Sequence, residues 1–149
     1  MTKILLNILL IATTVLAYGQ TAEDSTEVVV YSLLGELSDE QLNSSGATKL
    51  TFANSRNQAE QLANDDISNG TPFLLLAGGI APVIIATDPE FERKYKIYFY
   101  EYGCTGPDDK YITAYNEVVF EHLTRKYQKR WIKEVRQDVI GLKDWKKRK

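Results

Sequence analysis

Cys104 is the one residue in the chain whose type and setting point to a specific chemistry. It is the only cysteine, so it has no internal disulfide partner. It lies in Gly103-Cys104-Thr105-Gly106-Pro107, between an apolar run and the start of a helix. Amide donors and the positive end of a helix dipole lower a thiol's pKa in such a place, and the glycines would let a ligand approach the backbone. The chemistry would be that of a catalytic nucleophile, a mixed-disulfide site or an intermolecular bridge. Against it stands burial, since an unpaired cysteine is commonly a small core residue. A thiol nucleophile usually needs a base, and the only histidine is His122. It falls well inside the helix after Pro107, about 20 Å from its start at 1.5 Å per residue. A straight helix therefore excludes a Cys104–His122 dyad and makes His122 a half-buried helix residue. One histidine also excludes multi-histidine metal sites.

The acidic groups Asp65-Asp66, Asp88/Glu90/Glu92, Asp108-Asp109 and Glu117/Glu121 could in principle serve as acid–base pairs or calcium ligands. Each has a structural role open to it, at helix starts or in helix-face pairs, and no calcium-loop spacing is present. Gly78-Gly79 lacks the context of a phosphate-binding loop. No metal and no cofactor is expected.

A second candidate site comes from charge. Residues 20–92 hold 12 acidic and 2 basic residues, and residues 93–149 hold 8 acidic and 15 basic. Halves of opposite sign call for a reason. One is that the acidic half packs beside the basic helices. The other is that Lys126, Lys129, Arg130, Lys133 and Arg136, with the tail from Lys143 to Lys149, form a surface for an anion or a partner. Tyr127, Trp131 and Trp145 are interleaved with these charges, although Tyr127 and Trp131 fit a core stripe better than a stacking platform.

The compartment bears on the partner. Lys3, an apolar stretch from Ile4 to Leu16, and Ala17-Tyr18-Gly19 have the three parts of a cleaved secretory signal peptide over residues 1–19. The stretch has about 13 residues, against about 20 needed to span a bilayer. The expected product is an exported soluble protein, periplasmic or secreted, with no transmembrane segment after cleavage. Nucleic acid is then not an expected partner. An anionic envelope component or another protein is, including a chain that would cover aromatic surfaces around Tyr98 and Tyr100.

The elements that must position these residues are set by pattern. Residues 20–26 read as a flexible leader, 27–142 as a single α+β domain, and 143–149 as a basic tail. Strands are expected at Glu27–Leu34, Lys49–Ala53, Phe73–Ala77, Val83–Ala86 and Ile97–Tyr102. Gly78-Gly79 would turn a hairpin between two of them. Helices are expected after the capping-box sequences at Ser38/Gln41 and Ser55/Gln58, the second stopping at Asn69-Gly70. Another should start at Asp88-Pro89-Glu90 with Asp88 as cap and end near Tyr95. The order from Lys49 to Tyr102 is that of a ferredoxin-like βαββαβ core in a small mixed or antiparallel sheet. A long C-terminal helix or a kinked helix pair should come next; a stripe at spacing four drifts by about 40° per step, which favours two helices joined by a kink near Lys126–Lys129. The second would carry Trp131, Val135 and Val139 and end at Gly141.

Phe91-Glu92-Arg93-Lys94-Tyr95, Tyr102-Gly103-Cys104 and Asp138-Val139-Ile140-Gly141-Leu142 resemble the C-terminal part of small exported bacterial proteins of unknown function. The resemblance implies a bacterial envelope location and a recurring Cys104, with no activity and no assigned site. The residues taken together lean toward a non-catalytic binding or interaction module, the alternative being a thiol-dependent enzyme or redox-linked protein using Cys104.

Overall fold

The computed structural model describes residues 32–79, 83 and 85–149. The expected signal peptide, leader and the Glu27–Tyr31 part of the first expected strand lie outside them.

The centre of the fold is β1 (Phe73–Leu76), whose four side chains are all buried. A continuous Phe-Leu-Leu-Leu run suits a strand covered on both faces, as in a parallel sheet. It pairs in parallel with β2 (Tyr98–Glu101), with Phe73 opposite Tyr98 and Leu76 opposite Glu101. The described sheet is this one pair, and the antiparallel ferredoxin-like core is not formed among the described residues. Parallel neighbours need a crossover. Here it contains a helix, Asp88–Tyr95, that ends on Lys96 in the left-handed region at φ 53°.

Before β1 the chain is helical. A 3-10 turn at Leu33–Glu36 stands where the end of the first strand was expected, with Ser32 Oγ accepting from Leu34 N. Helix α1 (Asp39–Ser44) opens on the expected capping box, complete in both directions between Ser38 and Gln41. Helix α2 (Gly46–Lys49) and a 3-10 turn at Leu50–Phe52 replace the strand expected at Lys49–Ala53. Two caps hold this turn: Ser45 Oγ accepts from Thr48 N at 3.2 Å, and the Asp66 carboxylate, from a distant helix, accepts from Gly46 N at 2.7 Å and Ala47 N at 3.1 Å. Helix α3 (Arg56–Ser68) starts on Ser55 and stops at Asn69, with Gly70 at φ 78°, as expected. Gln58 reaches back to Asn54 N rather than to the cap residue, so this capping box is half-formed.

The crossover helix is α4 (Asp88–Tyr95). Asp88, the expected cap, is instead the first residue of the helix with its carboxylate turned inward to Arg136, and the N-cap is Thr87, which makes no side-chain capping bond. The hairpin expected at Gly78-Gly79 is not seen among the described residues. Val83 and Ile85 are not in a strand, and Ala86-Thr87 turn directly into α4. Gly78 serves close approach instead: a Cβ there would overlap the Tyr102 carbonyl oxygen.

Helix α5 (Asp109–Tyr127) covers β1 and packs along α3. Ala59 and Ala63 of α3 are fully buried, and their small side chains let the two helices come close. The α5 face toward the core carries Ile112, Tyr115, Val119 and Leu123 at helical spacing. The chain breaks where the kink was expected, at Gln128 with φ 59°. The expected second long helix is absent beyond this break. A 3-10 turn at Arg130–Lys133 leads into an extended stretch in which Val139 bridges antiparallel to Leu76 and Ile140 N donates to Leu75 O. Trp131, Val135 and Val139 are all buried, so inward positions at spacing four were produced by a turn and an extended segment. Gly141, at φ 80°, begins rather than ends a helix, α6 (Leu142–Lys147). The residues expected as a basic tail thus carry a helix that buries Trp145.

Candidate functional site

The basic surface is built at the end of α5. Gln128 reverses the chain, and Trp131 then anchors the 3-10 turn in the core. Its indole stacks on Phe120 at 5.6 Å, meets Trp145 at 5.7 Å, and donates to Thr124 Oγ1 at 3.2 Å. An aromatic fixed inward leaves its basic neighbours outward, and Lys129, Arg130 and Lys133 are exposed. Lys126 is exposed on the last turn of α5, its ammonium 5.2 Å from the Tyr127 ring centre. Among the described residues these four cations have no Asp or Glu carboxylate within ion-pair distance, and Lys129 Nζ donates to the main-chain oxygen of Lys149 at 3.4 Å. Arg136 does not join them. Its guanidinium is buried, 2.8 Å from Asp88 Oδ2 and 2.6 Å from Asp138 Oδ2, over the face of Phe99.

Packing of α4 against the end of α5 adds a cation that spacing along the chain did not reveal. Tyr95 and Tyr127 meet edge to face at 5.1 Å. This brings Lys94 beside Lys126 and Arg130 around a cavity of about 250 Å³, whose walls also include Tyr95, Tyr127 and Gln128. Lys94 Nζ contacts both oxygens of Glu134, at 2.7 and 2.8 Å. Hydrogen bonding to Glu134 holds the Lys94 ammonium above its ordinary pKa, and the same bond holds Glu134 below the ordinary carboxylate value. The only signal in the sequence was that Lys94 and Lys126 each occupy the last turn of a helix, where cations complement the dipole.

A larger groove of about 450 Å³ runs between α3, α5 and α6. Its charges are matched. Glu117 sits between Arg56, at 2.7 Å, and Arg148, and Glu121 accepts from the Trp145 indole and pairs with Lys149. Burial opposes ionisation of Glu117, but hydrogen bonds from Arg148 and Arg56 outweigh it and hold the carboxyl below its usual pKa. Arg56–Glu117 and Arg136–Asp88 are the described ion pairs that join the acidic and basic halves; the other ion pairs form within one half.

Cys104 is exposed, in a bend flanked by exposed Gly103 and Thr105. The burial considered for it is not what the fold does. Nor does it sit at a helix start, since α5 begins at Asp109 and its cap is Asp108, which accepts from Lys110 N. His122 is half-buried far along α5, and burial with Lys126 and Arg125 nearby holds its imidazole below the ordinary pKa. Among the described residues no group of three or more His, Cys, Asp or Glu side chains is placed to hold a metal ion, and no helix is long and apolar enough to cross a membrane.

Comparisons with protein-family models, with curated proteins and with solved structures found no match to this chain.

Proposed function

We propose that this protein is a non-catalytic binding module, exported to the bacterial envelope, that engages an anionic partner through the basic surface at Lys126, Lys129, Arg130 and Lys133. The observation that carries the reading is their exposure without an Asp or Glu partner among the described residues: four cations within eight residues stand outward, while the tryptophan among them is locked in the core. The larger groove differs, its charges being matched in the Arg56–Glu117–Arg148 cluster. An unmatched positive surface attracts polyanions, and salt weakens the attraction.

Binding to vesicles with anionic lipid and to an acidic polysaccharide, measured across a salt series, tests it. The expected result is affinity that falls steeply with salt and drops at least tenfold when Lys126, Arg130 and Lys133 become glutamine together. Binding that ignores both salt and these substitutions would remove the proposal.

The exposure of Cys104 favours a second reading, a thiol-dependent or redox-linked protein. A reactive thiol there would show a pH profile of alkylation displaced to low pH. A profile equal to that of a free cysteine peptide would end this reading.

A further inference from the structure

Tyr95 is buried, with 3% of its surface exposed. Its hydroxyl is enclosed beside the Lys94–Glu134 pair, close enough to interact with both, yet it is the buried side-chain polar atom among the described residues that makes no hydrogen bond of full geometry. Buried donors without partners are rare in folded proteins, and each calls for an explanation. Tyr95 lines the cavity that Lys94, Lys126 and Arg130 also line, with its hydroxyl enclosed.

We infer that this cavity is a seat for one tetrahedral oxyanion, a phosphate monoester group, held by Lys126 and Arg130 with the Tyr95 hydroxyl as neutral donor. The inference rests on reading the basic surface as an anion-binding one. The helix ends do not cancel the charge. The C-termini of α4 and α5 each contribute about half a negative charge, and Glu134 one more, against three cations. The Arg130 guanidinium offers the planar fork that matches two oxygens of a phosphoryl group, and Lys126 acts as a point charge. In the complex the half-exposed Lys94 side chain exchanges one Glu134 oxygen for an oxygen of the ligand, which opens the covered hydroxyl. The cavity volume accommodates a phosphoryl group and its first bridging atoms, not a whole polymer repeat, so a longer ligand would present one such group at a time.

The test is titration with inorganic phosphate at low ionic strength, monitored by backbone amide NMR and calorimetry, on the wild type, Tyr95→Phe and Arg130→Ala. Saturable one-to-one binding is expected, with shifts concentrated at residues 94–96 and 126–130. Tyr95→Phe should weaken it by about 3- to 10-fold, the range of one hydrogen bond, and Arg130→Ala by about 10-fold or more. Because the hydroxyl makes no hydrogen bond of full geometry in the free protein, Tyr95→Phe should change the melting temperature little, and a melt run beside the titration separates weaker binding from misfolding. Shifts spread over all surface lysines without saturation, or equal affinity in Tyr95→Phe, would overturn the inference. Glucose 6-phosphate against vesicles of phosphatidic acid then separates a soluble ester from a lipid headgroup. Salt-sensitive polyanion binding without a saturable phosphate site would sink the seat and leave the surface reading standing. Saturable phosphate without any polyanion binding would do the reverse.

Discussion

The side-chain amide of Asn116 hydrogen-bonds to the backbone of Leu75 in both directions: Oδ1 accepts from Leu75 N at 2.9 Å and Nδ2 donates to Leu75 O at 2.9 Å. Nδ2 also donates to Ile140 O at 2.9 Å. A helix residue thus takes the part of a neighbouring strand on the side of β1 away from β2. Glu92 does the corresponding work at the other edge, accepting from Phe99 N of β2 at 2.9 Å and from Leu33 N at 2.7 Å. A two-stranded pair is marginal alone; this one is closed on both sides by polar side chains from its flanking helices.

Asn116→Leu keeps the volume but leaves Leu75 N–H buried without a partner. We expect a loss of about 2 to 4 kcal/mol, the cost of one buried donor plus weakened acceptors, read from urea denaturation. A loss below about 0.5 kcal/mol, on the order of a surface substitution, would contradict the edge-closing role.

Glu92 makes a pH prediction. Burial raises its carboxyl pKa, and the two backbone donors only partly offset this. A carboxyl with a folded pKa above its unfolded value binds protons more tightly when folded, so its contribution to stability falls as pH rises from the ordinary glutamate value through the raised one. The stability advantage of the wild type over Glu92→Gln should therefore shrink as pH increases across that window. An advantage that grows with pH would reverse the sign and refute the assignment.

Gly78 and Gly103 form a matched pair of tests. A Cβ at Gly78 would overlap the Tyr102 carbonyl, whereas one at Gly103 would have nothing within 4 Å. Gly78→Ala should cost about 3 kcal/mol by forcing β1 and the end of β2 apart. Gly103→Ala should be close to neutral. Thermal melting of the two variants distinguishes them.

Arg136→Met strands the buried Asp88 carboxylate, which burial already pushes up in pKa against the pull of Arg136. The expected loss is about 3 to 5 kcal/mol, largely recovered in the Arg136→Met, Asp88→Asn double variant. Polyanion binding by the double variant should equal that of wild type, since neither side chain belongs to the exposed surface.

Cys104 should react completely with a thiol reagent in native buffer, one equivalent per chain, because its side chain is exposed. A thiol that needs denaturant to react would contradict its placement in the open bend.

Local signals in the sequence settled several helix starts and stops. Ser38 with Gln41, Ser55, Asn69-Gly70 and the break after Tyr127 are found where short-range chemistry put them, because a cap or a positive φ acts within a few residues. Helix α4 starts at Asp88-Pro89 as expected but with Thr87 rather than Asp88 as cap, and Gly141 opens a helix instead of closing one. The exposure of Lys126, Lys129, Arg130 and Lys133 was legible for a similar reason: desolvating a charge is costly, and no carboxylate stood near enough in the chain to match them all. Only the tertiary structure decided which apolar runs became strands. Lys49–Ala53 and the described Val83, Ile85 and Ala86 belong to runs of strand-like composition, yet strand pairing needs a partner edge. Asn116, Glu92 and the Val139–Ile140 segment had already occupied the edges of β1 and β2. The same holds for Arg136 and Lys94. One left the basic surface for Asp88 and the other joined it beside Arg130, through contacts between residues some 40 or more positions apart, a separation at which periodicity carries no information.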